Sequence, residues 1–489
     1  MDRKISHLQP NSVWSYFEDI CQVPRPSKRE GKIIAFLEEF AEKNNLTFRK
    51  DSVGNVLISK SATVGFENRK TVILQSHLDM VCEKNSNVIH DFDIDPIKPH
   101  IEGDWVTSGE TTLGADCGIG IAAQMAVLTS TSFKHGPIEC LFTVDEETGL
   151  TGAFALEPDF MTGKILLNLD SEDEGQLFIG CAGGIDTVIS FNYSREEVPA
   201  GYFPLEINIS GLMGGHSGDD INKGRGNANK ILVRFLYHVM QKFDLRLASI
   251  SGGNLRNAIA REANAVIMVP NAKKENVVAD FNIFKHDLIN EFAPVEKELK
   301  LELGSADFPE FVVDNDTSRK LILSLYACPH GVHAMSFRMP GLVETSTNLA
   351  SIRMKENTTI EVTTSQRSDQ NSGKDDIASM VEAVFKLAGS NEVVHSDGYP
   401  GWAPNPDSEI LKTTVGAYRK LFGNQPIVRS IHAGLECGLF LEKYPGLDMV
   451  SFGPTIMGAH SPVERINIET VQKFWDLLAE VLGNIPAEN

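Results

Sequence analysis

Short apolar runs alternate with helical patterns through the first part of the chain. Three runs are rich in β-branched and large apolar residues, which is typical of buried strands, and they cover Thr71–Leu74, Ile138–Val144 and Ile165–Leu169. Apolar positions recur with helical spacing in Gly31–Asn44 and in Ile119–Thr129. This alternation predicts an α/β sheet up to about Ile185.

The rhythm changes after Ile185 and returns near the end of the chain. Strand-like and helical segments of mixed order follow, namely Thr187–Phe191, Pro204–Ile209, Asn227–Lys242, Ala265–Val269, Lys274–Phe292, Ser318–Ala327, Thr358–Thr363 and Ser372–Leu387. After about Glu392 the chain continues with the segment Glu409–Phe422, the apolar run Leu447–Phe452 and His460. We therefore expect a discontinuous first domain, residues 1–185 and 393–489, and an inserted α+β lid domain, residues 186–392.

Each of the three expected strands is followed by residues that can bind a metal or carry a proton. His77 and Asp79 follow the first strand, Glu146 and Glu147 the second, and Asp170 the third. Ligands of open α/β sheets gather outside the carboxyl ends of strands, so we expect these side chains on one rim. His77 and Asp79 alternate and can leave the strand on one side, where Asp79 would orient the His77 ring.

Two more candidates come from glycine-rich turns. Asp116 lies in Gly114–Gly118 before an apolar helix, and His460 follows an apolar run and the turn 453–458. Taken singly, Asp116 fits a helix cap, Asp170 a turn residue, Glu146–Glu147 a solvated pair and His460 an exposed loop histidine. Together, two histidines and three carboxylates can supply the ligands of two divalent ions such as Zn²⁺, Mn²⁺ or Co²⁺, which predicts a metal-dependent hydrolase.

Composition narrows the class of protein. The 489 residues are enough for two or three domains, and the net charge of −21 argues against nucleic acid or an anionic membrane as a partner. No apolar segment follows Met1–Lys4, and no run approaches the roughly 20 apolar residues that span a bilayer. Seven scattered cysteines without a CxxC motif favour reduced thiols. We expect a soluble cytoplasmic enzyme.

The motifs resemble those of the M20 metallopeptidase clan, and more closely its bacterial aminoacyl-histidine (Xaa-His) dipeptidases, over nearly the whole chain. Segments shared with the clan are Ser76–Met80, Gly114–Asp116, Asp145–Gly149, Asn168–Asp170, Gly214–Gly218 and Gly458–Pro462. Val23–Ser27 belongs to the same resemblance, and Gly341–Ser346 and Ile431–Gly438 are more specific to the dipeptidase group.

The resemblance implies a zinc-peptidase-like catalytic domain with two metal ions and an inserted lid. Asp116 would bridge the ions, one of which would also take His77 and Asp170 and the other Glu147 and His460. Glu146 would be the general base, next to a ligand yet outside the ligand set.

The resemblance also places substrate-binding residues in the inserted segment. His216 would donate to the oxyanion, from its own chain or from a partner subunit of a homodimer, and Arg367 would grip the substrate carboxylate. Asn257 is a further candidate on the lid, and Glu436, outside it, a candidate for pairing the α-amino group. We expect the lid to close on the substrate so that His216 and Arg367 reach the metals. A surface turn for His216 and surface ion pairs for Arg367 and Glu436 are the ordinary alternatives.

The predicted activity is metal-dependent hydrolysis of unblocked dipeptides, Xaa-His among them. An N-acyl amino acid deacylase and a tripeptide aminopeptidase are alternatives within the clan. A noncatalytic metal- or peptide-binding protein is the alternative from another class, and Glu146 argues against it because binding needs no base. The native metal, the range of dipeptides, the oligomeric state, the role of Gly341–Ser346 and the pathway stay open at this point.

Overall fold

The computed structural model describes residues 3–396 and 398–488 and divides into two compact units. Unit 1 comprises Met1–Gly180, Pro404–Ser430 and Leu435–Asn489, and unit 2 comprises Cys181–Ala403 and Ile431–Gly434. Helices and strands occur in both units. No helix among the described residues is both long and apolar enough to cross a bilayer. The seven cysteines all lie within the described residues and form no disulfide.

The helices are α1 (Asn11–Ile20), α2 (Gly31–Lys43), α3 (Ala115–Thr129), α4 (Glu146–Gly149), α5 (Thr151–Ala155), α6 (Ala228–Lys242), α7 (Lys274–Phe292), α8 (Asn315–Ala327), α9 (Asn371–Leu387), α10 (Glu409–Phe422), α11 (Cys437–Lys443) and α12 (Ile468–Gly483). The strands are β1 (Thr47–Lys50), β2 (Val56–Lys60), β3 (Val72–His77), β4 (His100–Glu102), β5 (Trp105–Thr107), β6 (Ile138–Thr143), β7 (Ile165–Asn168), β8 (Gln176–Cys181), β9 (Gly183–Asn192), β10 (Arg195–Glu196), β11 (Tyr202–Ser210), β12 (Arg246–Gly252), β13 (Ala263–Pro270), β14 (Lys300–Ser305), β15 (Val312–Val313), β16 (Gly331–Met335), β17 (Val343–Lys355), β18 (Thr359–Ser368), β19 (Glu392–His395), β20 (Ile427–Ile431), β21 (Asp448–Ser451), β22 (Ile456–Met457) and β23 (Arg465–Asn467).

The main sheet of unit 1 confirms the predicted α/β arrangement. Its order is β1-β2-β6-β3-β7-β21-β8-β20, and β6, β3, β7 and β21 are parallel neighbours. All residues of β3, β6 and β7 are buried, as expected for parallel strands covered on both faces. The three strands predicted from the apolar runs therefore lie side by side, with their carboxyl ends at one edge.

Helix α3 packs against β3 and α1. Its residues are apolar on nearly all sides, and nearly all of them are buried, which is the expected state of a helix without a polar face. Asp116 and Cys117, near its start, have non-helical backbone angles, so Asp116 still belongs to the turn that precedes the regular helix.

A small sheet in unit 1 positions the last candidate ligand. Its order is β22-β23-β5-β4, and β22 and β23 form an antiparallel hairpin whose loop contains His460. The strand β21 precedes this hairpin. His460 therefore lies in unit 1, in the loop of a hairpin that follows the largely buried strand β21.

Unit 2 contains an antiparallel sheet with amphipathic helices. The order is β14-β11-β13-β12-β17-β18-β9-β19, and β16 pairs with β17. The amphipathic helices α6 and α9 bury residues such as Phe235 and Phe385 in one apolar core with the sheet. Antiparallel strands mixed with helices match the α+β character expected for the inserted segment.

The expected domain boundaries, 185/186 and 392/393, differ by up to eleven residues from the limits of the compact units, whose second unit runs from Cys181 to Ala403. Strand β9 begins at Gly183 and pairs with β19, so both flanks belong to the unit 2 sheet. Residues 431–434 also group with unit 2. That unit 2 acts as a lid remains a prediction.

Candidate metal and catalytic site

Two neighbouring strand ends bring His77 and Asp170 together. His77 is the last residue of β3, and Asp170 follows β7 by two residues. Because β3 and β7 are parallel neighbours, their carboxyl ends coincide. His77 Nε2 lies 3.2 Å from Asp170 Oδ1.

Asp116 joins this pair to a second one. Its Oδ1 lies 3.1 Å from His77 Nε2, and its Oδ2 lies 3.2 Å from His460 Nε2. His460 Nε2 is also 3.1 Å from Glu147 Oε2. The two carboxylate oxygens of Asp116 therefore face two separate donor groups, one with His77 and Asp170 and the other with Glu147 and His460.

A turn with a left-handed backbone conformation at Asp145 sets the positions of Glu146 and Glu147. Asp145 has a φ of 50°, and its carboxylate accepts hydrogen bonds from the Thr148 and Thr151 hydroxyls. An aspartate tolerates this left-handed conformation because its short side chain bonds locally. The turn sends the chain directly from β6 into α4, so both glutamates stand at the carboxyl end of the sheet.

Asp79 connects the histidine to the two glutamates. It is fully buried, its Oδ1 lies 3.4 Å from His77 Nδ1, and it accepts hydrogen bonds from the backbone N–H of Glu146 and of Glu147. The Ser27 hydroxyl also donates to it, at 2.7 Å. Burial alone would raise the pKa of Asp79, but the hydrogen bond and charge of His77 outweigh it and lower that pKa to about 2.

The two donor groups have the chemistry and spacing of cation sites. Tetrahedral Zn²⁺ with bonds of about 2.0–2.1 Å keeps its ligand atoms roughly 3.3 Å apart, close to the spacings around Asp116. A single proton on His77 Nε2 cannot serve both Asp116 and Asp170, whereas one cation can. Among the described residues, the buried Oε1 of Glu147 has no hydrogen-bond partner, and the buried Oδ1 of Asp170 has none beyond its 3.2 Å ion-pair contact with His77 Nε2. These residues therefore fit divalent ions.

The pKa values of the site residues also support the interpretation that these residues bind divalent ions. Hydrogen bonds that the His460 ring donates to the carboxylates of Asp116 and Glu147 raise the pKa of His460 to about 11, and burial raises the pKa of Asp170 to about 6. Without a metal ion, His460 and Asp170 in this acidic cluster therefore tend to hold protons. A divalent ion bound to the same atoms displaces such protons.

Glu146 makes no contact with Asp116 like those of the four other ligands, but one of its carboxylate oxygens lies within 4.8 Å of ligand atoms of His77 and Glu147. Burial is the main reason why its pKa lies well above the ordinary value, and the negative charges of Asp170 and Glu436 act in the same direction. A carboxylate with a raised pKa is suited to accept and return protons near neutral pH.

Cys117 and Glu436 also lie near the site. The Cys117 thiol donates to the Leu169 carbonyl, and burial raises its pKa well above the ordinary value, so it persists as a thiol.

Glu436 is fully buried, and its Oε2 accepts hydrogen bonds from Gln75 and Thr143. No group in the described part of the chain forms a hydrogen bond with its buried Oε1, and burial raises the pKa of Glu436 to about 8.

Unit 2 contains a buried guanidinium with neutral neighbours. Arg367, 7% exposed, donates to the Tyr399 hydroxyl at 3.1 Å and to Ser217 Oγ at 3.4 Å. Its third neighbour is His216 Nε2, at 3.5 Å. Among residues 3–396 and 398–488, these contacts include no carboxylate, so Arg367 can receive an anion.

His216 is held as a neutral ring with a defined tautomer. The backbone N–H groups of Gly218 and Asp219 both donate to its Nδ1, at 3.3 and 3.2 Å. Burial, and after it the charge of Arg367, lowers the pKa of His216. The remaining proton of the neutral ring therefore sits on Nε2, where it can be donated. The 3.5 Å approach of Arg367 Nη2 to this atom is then a contact and not a hydrogen bond, because a guanidinium can only donate.

Asn257 is close to the same loop through its main chain. Its carbonyl accepts the Ser217 N–H at 2.8 Å, and the residue is exposed. The Gly341–Ser346 segment leads into β17, and the Ser346 hydroxyl pairs with His432 Nε2 at 2.8 Å. This bond links the two segments that are specific to the dipeptidase group.

The structure gives contacts to three residues for which the sequence analysis assigned no role. Ser27 supports Asp79, while Tyr399 and His432 stand beside Arg367 and His216. Ser27 and His432 lie in Val23–Ser27 and Ile431–Gly438, two segments of the family resemblance, and that resemblance was the available signal. Tyr399 gave no such signal, because its contact with Arg367 depends on the tertiary structure.

Comparison with protein families gives one match that spans most of the chain. The model of peptidase family M20/M25/M40 matches residues 73–484. The cytosol non-specific dipeptidase of Escherichia coli (strain K12) is 44% identical over 485 residues, which cover 99% of this chain and 100% of that protein.

Solved structures give similar folds. The crystal structure of aminoacylhistidine dipeptidase from Vibrio alginolyticus superposes with a TM-score of 0.93 at 45% identity, covering 100% of this chain and 99% of that one. Aminopeptidase PepT from Bacillus cereus has a TM-score of 0.57 at 16% identity, with coverage of 98% and 99%. At that identity the second likeness concerns the fold alone.

Proposed function

Because the chain belongs to peptidase family M20/M25/M40, we propose that it hydrolyses unblocked dipeptides, Xaa-His among them, in a metal-dependent reaction. The names of the Escherichia coli and Vibrio alginolyticus relatives, both dipeptidases, support this substrate class. The name of the first also favours a cytoplasmic location. A homodimer is compatible with the proposal.

Two divalent ions would be held at Asp116, one also by His77 and Asp170 and the other by Glu147 and His460. Zn²⁺ is our preferred metal for this mixed set of nitrogen and oxygen donors, and Co²⁺ or Mn²⁺ would also suit it. When bound, such ions polarise a carbonyl group and lower the pKa of water to about 7.

Glu146 would act as the general base. It would take a proton from the attacking water and later pass it to the departing amine. Asp79 would fix the ring of His77 and, through the backbone N–H groups of Glu146 and Glu147, the start of α4.

Residues of unit 2 would read the substrate. Arg367 would bind the C-terminal carboxylate, since its present partners are all neutral. His216 would donate from Nε2 to the oxyanion of the transition state. Asn257 would support this loop, and in unit 1 the unbonded Oε1 of Glu436 would accept a hydrogen bond from the α-amino group.

The single observation that carries this proposal is the pair of donor groups that share Asp116. A deacylase or a tripeptide aminopeptidase would use the same groups, so substrate length and a free amine separate these alternatives. A noncatalytic binding protein would need no group in the position of Glu146.

The test is turnover of three matched substrates. A dipeptide Xaa-His should be hydrolysed, whereas its N-acetylated form and the tripeptide extended at its C-terminus should be poor substrates. Dialysis against a chelator should abolish hydrolysis, and added Zn²⁺, Mn²⁺ or Co²⁺ should restore it. Full activity in a preparation shown to be metal-free would contradict the proposal, and preference for the acetylated substrate would favour the deacylase.

A further inference from the structure

A buried glutamate accepts hydrogen bonds from the main-chain N–H groups of the turn that contains Asp116. Glu464 is 2% exposed and lies in the same hairpin loop as His460. Its Oε2 accepts hydrogen bonds from Leu113 N and Gly114 N at 2.7 and 2.9 Å. Its Oε1 accepts from Ala115 N at 2.7 Å and from Asp116 N at 3.4 Å. One carboxylate thus binds four consecutive N–H groups.

A buried arginine holds the same turn from its carbonyl side. Arg25 is 3% exposed, and its Nη1 donates to the carbonyls of Leu78 and Asp79 at 3.0 and 2.6 Å. Its Nη2 donates to the carbonyl of Gly114. The planar guanidinium therefore connects the chain after β3 with the turn before α3, which a single ammonium group cannot do with the same geometry.

The space around Arg25 explains two glycines of this turn. A Cβ at Gly114 would lie 2.6 Å from Arg25 Nη2, and Gly114 also has a φ of +68°. A Cβ at Gly118 would lie 2.7 Å from the same atom. The turn is therefore shaped around the guanidinium, which is a reason beyond chain flexibility for its glycine-rich sequence.

We propose that Arg25 and Glu464 are positioning residues that set the geometry of the divalent-cation site by clamping the Asp116 turn. Arg25 ties this turn to the segment that follows His77, and Glu464 ties it to the loop of His460. Asp116, His77 and His460, which lie in or directly beside these segments, supply atoms of the two donor groups. The inference rests on the proposed function, because it assumes that those groups hold metal ions.

The two side chains can act in this way because each is satisfied by main-chain groups alone. A carboxylate accepts at both oxygens, so it can bind four N–H groups, whereas a glutamine amide has one oxygen and would face two of them with its own N–H groups. Glu464→Gln should therefore release part of the turn while preserving side-chain volume. Substitutions behind a metal ligand typically cost about 10- to 100-fold in metal affinity.

The experiment measures Zn²⁺ affinity by competition with a chromophoric chelator, in the full-length protein. Glu464→Gln is compared with Glu139→Gln, a matched control in the same unit. Glu139 is also buried, and it accepts hydrogen bonds from Thr162 N and Gly163 N, but it lies near the opposite end of β6. If Glu464 had only a structural role, as Glu139 has, both variants would lower thermal stability and neither would weaken Zn²⁺ binding.

We expect Glu464→Gln to weaken binding of at least one Zn²⁺ by about 10-fold or more, and Glu139→Gln to bind as wild type. Arg25→Lys should weaken binding in the same way, and the visible spectrum of the Co²⁺-loaded protein should change in both site variants. If Glu464→Gln does not fold, Arg25→Lys decides the question.

Unchanged Zn²⁺ affinity and an unchanged Co²⁺ spectrum in both folded variants would overturn this inference and leave the proposed function intact. Failure of both variants to fold, with Glu139→Gln folded, would also count against it, because the clamp would then be purely structural. A wild-type protein that binds no Zn²⁺, Co²⁺ or Mn²⁺ would instead refute the proposed function itself.

Discussion

The candidate site combines five carboxylates and two imidazoles, and the surroundings of three of the carboxylates shift their pKa values in different directions. Asp79 accepts several hydrogen bonds, which keeps its pKa at about 2, whereas burial raises the pKa of Asp170 to about 6 and that of Glu146 well above its ordinary value. Residues of one chemical type therefore have separate roles because their surroundings differ.

Replacing the proposed base should separate binding from chemistry. Glu146→Gln should keep both metal ions, since Glu146 lies beside His77 and Glu147 but belongs to neither of the two groups that share Asp116, and it should lower kcat by about 10²- to 10⁴-fold. Elemental analysis and dipeptide kinetics check this. Glu409→Gln, which removes an exposed carboxylate paired with Lys70, serves as the control. A kcat near that of wild type would assign the base role to another residue.

Replacing Arg367, whose guanidinium contacts only neutral groups among the described residues, should affect substrate binding more than chemistry. Arg367→Ala should raise KM for dipeptides with a free carboxylate and should matter much less for the C-terminally amidated dipeptide. Arg234→Ala is the control, because Arg234 is exposed and pairs with Glu291. Equal losses on the free and amidated substrates would show that Arg367 is not a carboxylate anchor.

At the scale of elements, parallel pairing and tight turns bring the candidate residues together. Strands β6, β3 and β7 end side by side, while α4 and the β22–β23 hairpin carry Glu147 and His460 to the same edge. In unit 2, the Gly214–Gly218 loop packs closely on the chain at His432, since a Cβ at Gly218 would lie 1.9 Å from the His432 carbonyl oxygen.

A methyl group at Gly218 should therefore displace the loop of His216. We expect Gly218→Ala to lower kcat in the same direction as His216→Ala, because an oxyanion donor acts most strongly in the transition state. Gly304→Ala in β14 is the matched control, because nothing lies within 4 Å of its Cβ position. Kinetics of the three variants test this, and a fully active Gly218→Ala would contradict the assigned role of the loop.

At the scale of the whole molecule, the candidate ligands come from one unit although they span much of the sequence. His77, Asp116, Glu147, Asp170 and His460 all belong to unit 1, whereas His216 and Arg367 belong to unit 2. A long insertion separates Asp170 from His460. Metal binding should therefore stabilise two distant sequence regions of unit 1 together.

Hydrogen exchange followed by mass spectrometry can test this coupling. Removing the metal should speed exchange in segments around His77, Asp116, Glu147 and His460, because a ligand that binds only the native state stabilises it. Peptides from the core of unit 2, such as α6 and β13, should exchange at the same rate with and without metal. Uniform acceleration across both units would contradict a metal site confined to unit 1.

The sequence by itself determined the local elements and the chemical character of the site. Periodicity predicted helices at Asn227–Lys242 and Ser372–Leu387, which match α6 and α9 to within one residue. It also located β3, β6 and β7, because buried parallel strands appear as apolar runs. Motifs pointed to the family, which the comparisons confirm. The order of strand, acid and turn also predicted that His77 and Asp170 would share one rim.

Only the tertiary structure decided which distant groups meet. Nothing in the local sequence shows that Glu464 binds the turn of Asp116, or that Arg25 reaches the carbonyl of Gly114. The limits of the two units likewise depend on the pairing of β9 with β19, which are about 200 residues apart. Such contacts depend on strand pairing and packing across the whole chain, whereas periodicity and motifs report only on neighbouring residues.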